Sequence, residues 1–112
     1  LWSRVLATIH ETGRRSGADM EMGFDLYRIL QEVGFPAPHM HLDIPLGSDV
    51  GFVGIVADLL RSARRVADQH GVSFEALGDL DTLPDRVLAE IVAANTVVGM
   101  WPLVSVWSRK PR

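Results

Sequence analysis

The sequence predicts an α+β fold, mostly helical with two short strands, and three patterns carry that prediction. Apolar residues recur at three- and four-residue spacing in four separate segments. Strict alternation of apolar and polar residues is confined to His39–Pro45. From Leu103 to Ser108, Val104 and Val106 occupy one face of an extended segment while Leu103 and Trp107 occupy the other. With 112 residues, 47% of them hydrophobic and 22% charged, the chain has the size and composition of a single soluble globular domain.

Each element follows from its own residues. In the first fifteen, Trp2, Val5, Leu6 and Ile9 form the apolar stripe of a helix that turns Arg4, Glu11 and Arg14 to water. Gly13, Gly17 and Ala18 loosen the chain, and a second helix fits Gly23 to Val33, with Leu26, Ile29, Leu30 and Val33 inward. Gly34 can take the left-handed position after its last turn, Phe35 folds back, and Pro36 forbids continuation. The alternation that follows puts Met40, Leu42 and Ile44 on one side and His39, His41 and Asp43 on the other, the pattern of a half-buried strand stopped by Pro45.

A long helix is predicted from about Val50 to His70, burying Phe52, Val53, Val56, Leu59, Leu60, Ala63 and Val66, and Gly71 closes it. Ser73 starts a short turn. Thr82 reads as the N-cap of a fourth helix, with Pro84 in its first turn, Asp85 completing a capping box, and Val87, Leu88, Ile91 and Val92 inward. Because Leu103 to Ser108 is apolar on both sides, it suits an interior strand. Two strands so far apart in sequence make only a marginal ribbon. Either helices cover both its faces, or further strands come from another chain or from a missing part of the same polypeptide.

Composition removes several classes of function. With no cysteine, the chain has no disulfide framework, thiolate zinc site, iron–sulfur cluster or cysteine nucleophile. A net charge of -3 and a pI near 5.7 disfavour nucleic acid and anionic lipid as partners. The uncharged run from Ile91 to Ser108 is broken by Asn95, Thr96, Gly99, Pro102 and Ser105, so no membrane span is expected. Leu1 opens the chain without a secretory apolar run, which leads us to expect a cytoplasmic protein and a piece of a longer polypeptide.

The order of these segments resembles the C-terminal part of class I S-adenosylmethionine-dependent methyltransferases. The resemblance covers essentially the whole chain and is carried by Gly17-Ala18-Asp19 with Gly23-Phe24-Asp25-Leu26, by the helix terminus Glu32-Val33-Gly34-Phe35, by the strand end Ile44-Pro45, and by the closing Pro102-Leu103-Val104-Ser105-Val106-Trp107-Ser108-Arg109-Lys110-Pro111. It implies that Gly23 to Val33 follows the fifth strand of a Rossmann-like sheet. His39 to Ile44 would be the sixth strand, and Leu103 to Ser108 the seventh, antiparallel and inserted between the fifth and sixth. The residues between would form a helical cap over the substrate.

The family's donor-binding glycine loop and acidic residue have no counterpart here, so the resemblance implies that S-adenosylmethionine is a cofactor of the complete protein and not of this chain alone. Gly47, Gly51 and Gly54 lie between a predicted strand and a helix, but Asp49 stands where a nucleotide fingerprint needs its second glycine. No cofactor-binding, catalytic or metal-binding residue is assigned.

The resemblance places residues 1 to 24, 46 to 60 and 99 to 102 at the carboxyl edge of the sheet, where α/β proteins hold ligands. Trp2, His10, Met20, Met22, Phe24, Phe52 and Trp101 are therefore the expected lining of an apolar pocket for a small-molecule acceptor, although ordinary core packing accounts for the same spacing. His10 could draw a proton from an acceptor hydroxyl, and plain surface exposure explains it equally. His39, His41 and Asp43 share a strand face and offer nitrogen and oxygen donors, as would any solvated strand face. The chain reads as the substrate-capping region of a methyltransferase, inert alone and partnered by the missing donor-binding half or a second copy. The alternative is a non-enzymatic helical interaction or oligomerisation module.

Overall fold

The computed structural model describes residues 1–19 and 22–110. In chain order the elements are α1 (Trp2–Arg15), α2 (Met22–Glu32), β1 (His39–Asp43), β2 (Leu46–Gly47), α3 (Val50–Gln69), a single 3-10 turn (Glu75–Leu77), α4 (Leu83–Ala94), β3 (Val98–Gly99) and β4 (Leu103–Trp107). The protein is α+β and mostly helical. The chain divides into two compact units, Leu1–Ala18 with Leu46–Gly99, and Asp19–Pro45 with Met100–Arg112. No helix among the described residues is long and apolar enough to cross a membrane.

The first unit holds the core. Val5 of α1, Val53, Val56, Ala57, Leu60 and Ala67 of α3, Val72, Phe74, Leu77 and Leu80 of the connection, and Leu83, Val87 and Ile91 of α4 are all buried. Both α1 and α4 pack on α3, which serves as the central helix. Asp49 starts α3 as its N-cap, its carboxylate accepting a 2.9 Å hydrogen bond from the Phe52 N–H. Gly71 ends it in the left-handed region at φ 71°, with Val72 N–H returning to Ala67 O. Two arginines tie the ends of the unit together. Arg15 donates to the carbonyls of His70 and Gly71, and Arg86 to those of Leu77 and Asp79.

The second unit is built differently. β1 pairs antiparallel with β4 in the register His39↔Trp107, His41↔Ser105 and Asp43↔Leu103. Residues directly opposite share a face, so His39, His41, Asp43, Leu103, Ser105 and Trp107 line one side, and Met40, Leu42, Val104 and Val106 the other. α2 packs on β4, and the contact depends on Gly23: a Cβ there would stand 3.0 Å from Val104. Gly34 ends α2 at φ 95°, with Phe35 N–H bonded to Leu30 O. The Ser108 hydroxyl donates to Pro36 O, and His39 stacks on Trp107 with centroids 5.7 Å apart.

Several expectations are corrected. Besides the two expected strands there is a second ribbon, β2 with β3, only two residues a side. β1 is exposed along both faces instead of half-buried. β4 ends at Trp107 and, among the described residues, has β1 as its one neighbour, leaving Leu103 and Trp107 54% and 51% exposed. The buried stripe of α3 lies over Ala57 and Ala67, while Leu59 and Val66 face outward and Phe52 and Ala63 are half-buried.

On α4, Val92 is 72% exposed and Leu88 half-buried. Thr82 makes no side-chain cap. Its hydroxyl instead donates to Asp79 O and accepts from Arg86 Nε, so the capping box with Asp85 does not form. No residue of α2 is buried, and Val33 is exposed.

Candidate functional site

Trp2 and Phe52 come together in the first unit. The α1 helix begins at Trp2, whose indole Nε1–H donates a 2.9 Å hydrogen bond to Gly99 O, and the Trp2 ring lies 6.1 Å from the Phe52 ring. Phe52 is held in turn by the chain reversal before α3, since its ring fills the space above Gly47. Trp2 lines a cleft of about 170 Å³ with Val87, Glu90, Ile91 and Ala94 of α4 and with Thr96 and Val98 beyond it. Phe52 supports the Trp2 side of this cleft without lining it.

The other candidates stand elsewhere. His10 is an exposed residue of α1, two turns along from Trp2 and outside the cleft. Met22 and Phe24 open α2 in the second unit, both exposed, Phe24 to 76%. Trp101 is half-buried in the same unit, between β3 and β4 in sequence. Met20 lies outside the described residues.

His41 Nε2 is hydrogen-bonded to Asp43 Oδ1 at 3.0 Å on the exposed face of β1, while His39 is taken up by its stack on Trp107. That face thus offers one imidazole–carboxylate pair. Among the described residues no group of three His, Asp or Glu side chains is placed to hold a metal ion.

The segment around Gly47 and Gly51 does not form a nucleotide cradle. A cradle for a nucleotide needs glycines whose missing side chains leave room for the ligand. At Gly47 that room is taken by Phe52, 2.3 Å from where a Cβ would be, and at Gly51 a Cβ would meet the Asp49 carboxylate at 3.2 Å. Asp49 also takes the Phe52 N–H, placing a negative charge at the helix start where a phosphate-type loop keeps its N–H groups free. Gly47 thus serves close packing, whereas nothing lies within 4 Å of where a Gly54 Cβ would stand.

Two features escaped the sequence reading. Glu90 and Ala94 join Val87 and Ile91 at three- and four-residue spacing along α4, the signal that would have found this wall of the cleft. A second, more open groove of about 480 Å³ runs past Arg64, Asp68 and Phe74, with the Arg64 guanidinium 5.8 Å from the Phe74 ring centroid. Of the arginine cluster on α3, Arg61 pairs with Asp58 and with Asp81, so it braces the connection to α4. Comparison of the chain with protein-family models, with curated proteins and with solved structures returns no match.

Proposed function

We propose that this chain is the C-terminal, substrate-capping region of an S-adenosylmethionine-dependent methyltransferase acting on a small organic molecule in the cytoplasm. The observation that supports the reading best is the pairing of β1 with β4. Two strands separated by a long, mostly helical insertion meet antiparallel, with α2 packed on β4, which is the arrangement the resemblance implies for the last two strands and the preceding helix of that fold. A ribbon exposed on β1 and at Leu103 and Trp107 also suits a sheet completed by strands from outside this sequence.

On this reading the donor is held by the missing half, and the chain's own residues act on the acceptor. Methyl transfer is an in-line displacement that depends mainly on holding donor and acceptor in near-attack geometry and on excluding water. Trp2, fixed by its hydrogen bond and braced by Phe52, is a rigid apolar wall suited to that positioning role.

The test is calorimetric titration of S-adenosylmethionine and S-adenosylhomocysteine into the chain and into the product of its complete gene. Binding to the complete product alone is the expected result. No binding to either would overturn the proposal and favour the interaction-module reading, for which the exposed apolar side chains of α2, β1 and β4 are the specific support.

A further inference from the structure

We propose that the cleft between α4 and the start of α1 is a binding site for a single six-membered ring, uncharged or cationic. Its volume, about 170 Å³, is close to the roughly 150 Å³ at which an apolar cavity accepts a benzene ring. Three parts of the chain build the walls: the Trp2 indole, the Val87–Ile91–Ala94 face of α4, and Val98 of β3. Ala94 is the small residue that leaves the space open.

The indole is not free to collapse into the gap. Its Nε1–H is committed to Gly99 O and its ring is braced by Phe52, so the wall is preorganised and a ligand bears little of the cost of ordering it.

Charge at the rim sets the class of ligand. The exposed Glu90 carboxylate lines the cleft and is the one charged side chain among its lining residues. A cationic substituent on the ring is favoured there, and a carboxylate is repelled. Combined with the methyltransferase reading, the ring is part of the acceptor. The site does not require that reading, because ring binding is measured on this chain and donor binding on the complete gene product.

The test is an amide and indole N–H nuclear magnetic resonance titration of the chain with benzyl alcohol, benzylamine and benzoate, the Trp2 indole being assigned with Trp2→Phe. Benzyl alcohol and benzylamine should produce saturable shifts at the Trp2 indole and at Ala94, with benzoate several-fold weaker. Ala94→Leu fills the cleft from an exposed helix end and should abolish the shifts, whereas Ala93→Leu, one position off the wall, should preserve them. Glu90→Gln should bring benzoate up to benzyl alcohol. Absence of saturable shifts, or full binding by Ala94→Leu, would overturn the site. Equal binding of benzoate and benzylamine to the parent chain would overturn the ligand class.

Discussion

Phe52 occupies the place that a side chain at Gly47 would need, and this single contact joins the chain reversal before α3 to the Trp2 wall. Gly47→Ala puts a methyl 2.3–2.7 Å from the ring, so the ring must move. We expect a loss of about 1–3 kcal/mol, the usual cost of overpacking, with a changed environment at Trp2, read by thermal unfolding and indole fluorescence. Leu60, fully buried on the central helix, should cost about 2–5 kcal/mol when cut to alanine. An unchanged transition midpoint in either variant would count against the packing described.

Glu11 is a residue-scale case with a pH signature. Hydrogen bonds from Arg14 and Arg15 hold its carboxyl down from 4.5 to about 2. A lowered folded-state value means stabilisation that is complete above about pH 4.5 and lost as pH falls through about 2. The pair is surface-exposed, so the contribution is small. A carboxyl titration by nuclear magnetic resonance should place the Glu11 midpoint near 2, and a midpoint at the ordinary 4.5 would contradict the pairing.

At the scale of elements, legibility follows the range of the forces. Gly34 and Gly71 were readable as helix ends because the motif they close involves only the preceding turn. The Asp49 cap is equally local, an acceptor just ahead of an apolar helix, and its pattern is legible in the sequence for the same reason. The rotation of α3 was not readable. Its apolar arc is wide enough that Leu59 and Val66 or Ala57 and Ala67 could face the core, and packing by both α1 and α4 decides for the small residues.

β2 and β3 left no pattern because two residues show no period. The Trp2 side of the candidate site was legible as an aromatic near a helix start, whereas its opposite wall depends on Ala94, a residue informative only for the space it leaves. Element stability should differ just as sharply. α3 contributes five buried residues and α2 none, so α3 amides should exchange slowly and α2 amides fast. Similar protection in both helices would refute the contrast.

Among the described residues of the whole molecule, the buried hydrophobic core belongs to the first unit, which also exposes Leu46, Ile55 and Val92, while the second exposes Met22, Phe24, Val33, Met40, Leu42, Leu103 and Trp107. On the proposed reading these side chains belong to a surface that is covered in the complete protein. The strand β4 joins this surface to the proposed function: apolar on both faces, it has the sequence of an interior strand and the surroundings of an edge.

The most direct test of that account is hydrogen exchange along Leu103–Trp107, compared between this chain and the product of its complete gene. The account predicts that the β4 amides pointing away from β1 exchange rapidly in the chain and become strongly protected in the complete product, where a further strand pairs with them. Equally rapid exchange in both would contradict it, and would leave β1 and β4 as a finished two-stranded ribbon.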